Sequence, residues 1–158
     1  MRIISKFILI LLTVVSIVAA SSCDNNKVYD TYYHTSINGW EKNDTLSFNI
    51  PKLKQDGMYS SILGLRTNRT YPFMGLTLIV EQTIYPERVI KTDTIDCNLT
   101  DQNGNTNGQG INYYQYEFHV SDMNLKAGDS IHVCVRHDMK REILPGISDV
   151  GIKLSMAH

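Results

Sequence analysis

Cys23 is the residue whose type and setting point most directly to chemistry. It follows the small residues Ala20-Ser21-Ser22, and ahead of these lie a basic start (Arg2, Lys6) and an apolar run from Phe7 to Ala20. Small side chains let a peptidase take the chain extended and close, and a thiol at the cut can carry diacylglycerol on its sulfur before cleavage. Acyl chains such as palmitate on the new N-terminus would then pass the two-anchor threshold for stable membrane attachment. The apolar run is about fourteen residues long, short of the roughly twenty that a spanning helix needs. Residues 1–22 therefore read as a lipoprotein signal peptide and not as a membrane span.

The remaining chemistry-bearing residues are poorly spaced for catalysis. His132-x-Cys134-x-x-His137-Asp138 invites a metal ion. On a strand, however, His132 and Cys134 share one face and His137 points away, whereas zinc needs three or four converging ligands. His34, His119 and His158 are scattered. There is no Gly-x-Ser-x-Gly elbow and no glycine-rich loop between a strand and a helix. Gly104, Gly108 and Gly110 punctuate an Asn-rich loop, and Asp93, Asp96 and Asp101 read as turn caps and edge acids. No nucleophile, base and orienting group come together, so the chain reads as a non-enzyme without cofactor or metal.

Aromatic side chains offer a binding chemistry instead. Tyr29, Tyr32, Tyr33 and Trp40 gather near the start of the folded part, and Tyr71, Tyr85, Tyr113 and Tyr114 fall at strand ends or loops. Such rings suit half-buried strand positions. Exposed together on one sheet face, they could stack on sugar rings or receive a partner protein.

The elements that must position these groups are strands. Leu46, Phe48 and Ile50 alternate with Ser47 and Asn49; Leu76, Leu78 and Val80 with Thr77, Ile79 and Glu81; Tyr114, Tyr116, Phe118 and Val120 with Gln115, Glu117 and His119; and Val150, Ile152 and Leu154 with Asp149, Gly151 and Lys153. With runs near 59–67, 89–99 and 130–137, the period of two predicts seven or eight short strands. Turns at Lys54-Gln55-Asp56-Gly57, Asp101–Asn105 and Lys126-Ala127-Gly128-Asp129 separate them. One helical turn is expected around Asp138–Ile143, stopped by Pro145-Gly146. Without a helical layer, the prediction is all-β: a single, mostly antiparallel β-sandwich, immunoglobulin-like or jelly-roll-like. The organisation is a signal peptide over 1–22, a lipidated cysteine and polar tether over 23–28, and one sandwich domain over 29–158.

The formal net charge of the chain is −1, and losing Arg2 and Lys6 makes it only two units more negative. No basic run tracks a phosphate backbone, which argues against nucleic acid, and the overall balance argues against anionic lipid surfaces as partners. No small-molecule ligand is expected. Cys97 shares strand parity with Ile95 and Leu99 and should face the core. Cys134 lies opposite in parity to Ile131, Val133 and Val135, so the two thiols should point to different faces and stay free.

Taken in order, several blocks form a pattern. They are Cys23 with its signal, Tyr29-Asp30-x-Tyr32, Trp40-x-x-x-Asp44-Thr45-Leu46-x-Phe48 and Leu65-Arg66-Thr67-Asn68-x-x-Tyr71-Pro72-Phe73. Leu76-x-Leu78, Asp93-Thr94-Ile95, Gly104 with Gly108-x-Gly110, and Met139-Lys140 with Leu144-x-Gly146-Ile147-x-Asp149-Val150-Gly151 complete them. The pattern resembles the GldH family, the gliding-motility lipoproteins of Bacteroidota. Two positions depart from it: Thr106-Asn107 stands where the family often has an aromatic, and Lys140 where it often has Arg. Lys lacks the planar fork of Arg, so a carboxylate there would be held less rigidly.

The resemblance implies a lipoprotein at the outer membrane, grouped with the gliding machinery and the type IX secretion apparatus, with no reaction and no cofactor. Only Asp24 follows Cys23 before Asn25-Asn26-Lys27, where a surface-export tag would be acid-rich, so the domain is expected to face the periplasm. The expected partners are the membrane, through the lipid, and envelope proteins of a motility or secretion complex. Contacts are expected at Arg66, Asn68, Tyr71 and Phe73 in one block and at Met139, Lys140 and Asp149 in the other. Arg66 follows the largely apolar stretch Ile62–Leu65, so a structural partner is also expected for it. The alternative function is a glycan-binding lipoprotein using exposed Tyr and Trp. Asp44-Thr45-Leu46, Asp93-Thr94-Ile95 and Asp129-Ser130-Ile131 also resemble the acceptor sequence for O-glycosylation in Bacteroidota, making Thr45, Thr94 and Ser130 candidate sites.

Overall fold

A computed structural model describes residues 26–157. The expected signal peptide and Cys23 lie outside the described residues. The strands are β1 (Lys27–His34), β2 (Trp40–Glu41), β3 (Leu46–Ile50), β4 (Gly57–Asn68) and β5 (Gly75–Tyr85). They continue as β6 (Val89–Asn98), β7 (Tyr113–Leu125), β8 (Ser130–His137), β9 (Ile143–Leu144) and β10 (Ile147–Met156).

Two four-stranded antiparallel sheets form, in the orders β1-β10-β4-β7 and β3-β8-β5-β6. Alternation decides which side chains meet between them. Leu63 and Leu65 from β4 and Val150, Ile152 and Leu154 from β10 face Leu78 and Val80 from β5 and Val133 and Val135 from β8, all buried. Burying such side chains at roughly 1.5–3 kcal/mol each is what holds the layers together. The eight strands of the two sheets agree with the expected sandwich. β2 and β9 form a separate two-residue ribbon.

The parity of β7 changes in mid-strand. Tyr116 and Val120 point inward, and then Ser121, Met123 and Leu125 do, because a bulge puts an extra residue opposite Ser61–Ile62 of β4. The bulge turns the Ser121 hydroxyl into the core, where it accepts a hydrogen bond from Gln82 Nε2 at 2.9 Å. A polar pair thus links the two sheets through a largely apolar interior and gives the Gln82 amide donor its partner.

Two expectations are corrected. No helical turn forms around Asp138–Ile143; the segment bends and then enters β9. Its backbone groups go to other strands: the Asp138 N–H donates to Thr77 O (2.9 Å), and Glu142 O accepts from the Lys42 N–H (2.7 Å). A helix would need those same groups for local bonds. The chain also enters the fold earlier than the tether reading implied. β1 starts at Lys27, and Asn26 O already accepts from the Met156 N–H at 2.8 Å.

Strand direction gives the sandwich two distinct ends. One carries Asn26, the β3–β4 and β7–β8 turns, the β5–β6 turn and the end of β10. The other carries the connections 35–45, 69–74, 99–112 and 138–146. β1 runs from the first end to the second.

Candidate functional site

The expected contact residues Arg66, Asn68, Tyr71, Phe73, Met139, Lys140 and Asp149 lie at the second, distal end of the sandwich and on the adjoining outer face of the β1-β10-β4-β7 sheet. On that face Arg66 of β4 and Asp149 of β10 are directly paired across strands. The Asp149 carboxylate faces Nδ1 of His34 from β1. Arg66 Nε donates to Gln115 Oε1 of β7 at 3.1 Å, and its guanidinium lies over the Tyr32 ring, 4.0 Å from the centroid. The row His34–Asp149–Arg66–Gln115 therefore crosses all four strands.

Glycines explain how Tyr32 lies beneath Arg66. Gly151 and Gly64 are cross-strand partners one rung away, and a Cβ at either would fall within 2.6 Å of an atom of the Tyr32 side chain. Missing side chains open a shallow trough, Tyr32 fills it, and Arg66 stacks on top. Burial pushes the Tyr32 phenol above its ordinary pKa, with Arg66 opposing. The structural partner expected for Arg66 is thus Tyr32 together with Gln115, while Asp149 on the neighbouring strand faces His34.

At the distal end the loop after β4 closes on itself. Asn68 Oδ1 accepts from the Thr70 N–H (2.8 Å) and hydroxyl (2.6 Å), and the Asn68 N–H donates to Gly146 O at 2.8 Å. Tyr71 is half-buried, its hydroxyl donating to Gly75 O at 3.0 Å, and burial raises its pKa. Phe73 packs edge-on to Tyr71 with ring centroids 5.6 Å apart and lies under the Arg141 guanidinium at 5.9 Å. Met139 is half-buried, its sulfur accepting from the Thr77 N–H at 3.5 Å, and Lys140 is exposed beside it. The two blocks of expected contact residues are thus brought to one end.

Arg69, Ile37 and Ile111 at this end were not singled out from sequence. Arg69 ties the glycine loop down, donating from Nε and Nη2 to Ile111 O at 3.2 and 3.0 Å. Asp101 holds the start of that loop, accepting from the Asn103 and Asn105 N–H groups at 2.8 Å, and bonds from Asn105 are the main cause of its lowered pKa. The loops present exposed apolar side chains: Ile37 (100 % exposed), Ile111 (77 %) and Tyr113 (61 %). A groove of about 390 Å³ runs between His34, Ile37, Asn68, Tyr113 and Ser148. A lone Ile in the polar run Ser36-Ile37-Asn38 was the available signal, because no strand alternation accounts for it.

Trp40 sits at this end but is completely buried, its Nε1 donating to Asp44 O at 2.8 Å and its ring set edge-on to His137 at 5.3 Å. His137 is buried with it, and that burial lowers its pKa, so the imidazole is neutral near pH 7. The exposed aromatic strip required for glycan stacking is therefore not built from Trp40, Tyr71 and Tyr113, of which only Tyr113 is exposed.

The thiols behave as parity predicted. Both are free and lie in the β3-β8-β5-β6 sheet, Cys97 buried on its inner face and Cys134 half-buried on its outer face. His132 stands 3.3 Å from Cys134 Sγ through Nε2, and its Nδ1 lies 2.7 Å from Asn49 Oδ1. Burial pushes the Cys97 thiol up to about 12. In native protein, iodoacetamide at pH 8 should alkylate Cys134 and leave Cys97 unmodified, since the thiolate is the nucleophile. Mass spectrometry showing equal labelling of both would refute the burial of Cys97. Thr45 and Thr94 are exposed and Ser130 is half-exposed at the start of β8. Among the described residues, no three His, Cys, Asp or Glu side chains converge as metal ligands.

Comparison with known proteins places this geometry. A sequence profile described as GldH lipoprotein matches residues 27–154. The gliding motility lipoprotein GldH of Flavobacterium johnsoniae is 30 % identical over 140 residues, covering 84 % of this chain and 87 % of that protein. A GldH homologue from Christiangramia forsetii is 28 % identical over 148 residues, covering 88 % and 90 %. Among solved structures, a family 35 carbohydrate-binding module from Clostridium thermocellum aligns with a TM-score of 0.39 and 14 % identity, over 78 % of this chain and 90 % of that one. That likeness is too distant to bear on function.

Proposed function

Since the chain belongs to the GldH lipoprotein family, we propose that it is a non-catalytic scaffold or accessory component of gliding-motility or type IX secretion machinery. It is a motility-associated lipoprotein, anchored in the envelope by lipid. In the proposed arrangement Cys23 carries the acyl chains, the outer membrane holds them, and the sandwich faces the periplasm. The distal end then receives envelope proteins. The observation that carries this reading is positional. β1 leads away from the lipid-bearing end, and the pattern residues Asn68, Tyr71, Phe73 and Met139 gather with exposed Ile37, Ile111 and Tyr113 at the far end.

Exposed apolar side chains ringed by polar ones are what a protein interface uses at its centre. The proposed contact set is Arg66, Asn68, Tyr71, Phe73, Met139, Lys140 and Asp149 together with those three residues. Crosslinking in intact cells, followed by capture and mass spectrometry, should enrich motility or secretion components, and Cys23→Ala should lose them. Capture of nothing above background would reject the scaffold. Thr45, Thr94 and Ser130 are the proposed O-glycosylation sites. A mass change no larger than the three substitutions themselves on replacing all three by Ala would remove them.

A further inference from the structure

We propose that the tether end of the sandwich is itself a membrane-docking surface, seated on anionic phospholipid headgroups through Lys52, Lys54 and Lys126. The proposal rests on acylation at Cys23. Only Asp24 and Asn25 lie between Cys23 and Asn26, three residue steps in all, and Asn26 is already bonded to β10. An extended chain spans at most about 3.5 Å per residue, so Asn26 lies within about 11 Å of the acylated residue. A tether this short leaves the end of the sandwich nowhere to go but against the headgroups.

The chemistry of that end fits what it must touch. The β3–β4 loop and the β7–β8 turn are bonded into one ledge. The Leu53 N–H donates to Asp129 O at 2.8 Å, and the Gly128 N–H donates to Leu53 O at 2.9 Å. Lys52, Lys54 and Lys126 stand exposed on this ledge. The ledge also carries two acids that cap its turns, Asp56 accepting from the Ala127 N–H at 2.7 Å and Asp129 from the Lys126 N–H at 2.9 Å, so its three lysines leave it one charge positive. Lys27 pairs with Asp30 at 3.1 Å. Among the described residues no ion pair involves Lys52, Lys54 or Lys126.

Beside the lysines lies a groove of about 520 Å³, bordered by Lys52, Lys54, Val28 and Met156. Pairing of Tyr85 with Ser130 sets the β5–β6 turn next to the ledge, adding exposed Val89 (49 %) and Ile90 (63 %). Cations with interspersed apolar side chains are the composition that settles into a headgroup layer. The β5–β6 turn adds Glu87 and Arg88, which offset each other, so this end stays mildly positive on a chain whose formal net charge is −1.

The test uses lipidated, full-length protein on phosphatidylcholine vesicles with and without 30 % phosphatidylglycerol, probed with a membrane-impermeant amine-acylating reagent. Flotation establishes anchoring, and mass spectrometry reads each lysine. Each lysine near an anionic surface is worth about a fivefold preference. Acylation of Lys52, Lys54 and Lys126 should therefore slow about fivefold on the anionic vesicles. That protection should vanish in 0.5 M salt, where the Debye length is about 4 Å. Lys140, exposed at the opposite end, should react equally in all conditions. Protein that floats while its ledge lysines react at one rate everywhere overturns docking alone. Protein that fails to float overturns the anchor, and docking with it.

Discussion

Trp40→Ala should destabilise the fold by about 3–5 kcal/mol, the range for truncating a large buried aromatic. The side chain is fully buried, and its indole N–H has its partner in Asp44 O. It does more than fill space. Trp40 pairs with Leu144 in the β2–β9 ribbon, and it packs edge-on to His137, where β8 ends. The ribbon is what draws the 138–146 segment onto the sandwich, so its loss should loosen the distal loops before the sheets. Urea denaturation gives the magnitude, and hydrogen exchange locates the loosened backbone. Trp40→Phe should keep the packing and lose mainly the hydrogen bond, costing about 1 kcal/mol. A Trp40→Ala protein as stable as Trp40→Phe would refute the anchoring role.

Gly146→Val should cost at least about 2 kcal/mol, because two penalties coincide there. Gly146 has φ of 80°, a left-handed conformation costly for a β-branched residue. An added Cβ would also lie 2.4 Å from Tyr71 N and 2.7 Å from Tyr71 Cα, backbone atoms that no rotamer change can move. The junction is where the loop after β4 meets the loop before β10, held by the Asn68 N–H on Gly146 O. Gly104→Ala separates the two penalties: its φ is 82°, but nothing lies within 4 Å of the added Cβ. It should cost only about 1–2 kcal/mol. Equal denaturation midpoints for Gly104→Ala and Gly146→Ala would show that the close approach to Tyr71 contributes nothing.

Fold class was legible because a period of two is a local property, repeated in Leu46–Ile50, Leu76–Val80 and Val150–Leu154 and interrupted by recognisable turns. Parity also placed Cys97 inward and Cys134 outward, which kept them apart. What escaped depended on partners. The Val120–Ser121 bulge is invisible until β4 supplies a register, so the inward turn of Ser121 could not be read. β1 hid because it is a polar edge strand, with Asp30, Tyr32 and His34 on its outer face. Asp138–Ile143 looked helical only while its backbone partners, Thr77 and Lys42, were unknown.

The candidate site divides in the same way. Sequence pattern selected Arg66, Tyr71, Phe73 and Asp149, and these do lie on one end and its adjoining face. It could not show that Arg66 rests on Tyr32, because that stack needs Gly64 and Gly151 in register on neighbouring strands. Nor could it separate Trp40, which is core, from Tyr113, which is exposed.

The central claim is that the distal loops recruit envelope proteins to a lipid-anchored sandwich. The most direct measurement compares crosslinked capture from intact cells for the wild type and the triple variant Ile37→Ser, Ile111→Ser, Tyr113→Ser. All three side chains are exposed, so the variant should fold, and matched urea curves would confirm that it does. Motility or secretion components captured by the wild type should fall at least tenfold in the variant, while its membrane attachment is unchanged. An undiminished set of partners from the folded, anchored variant would contradict it.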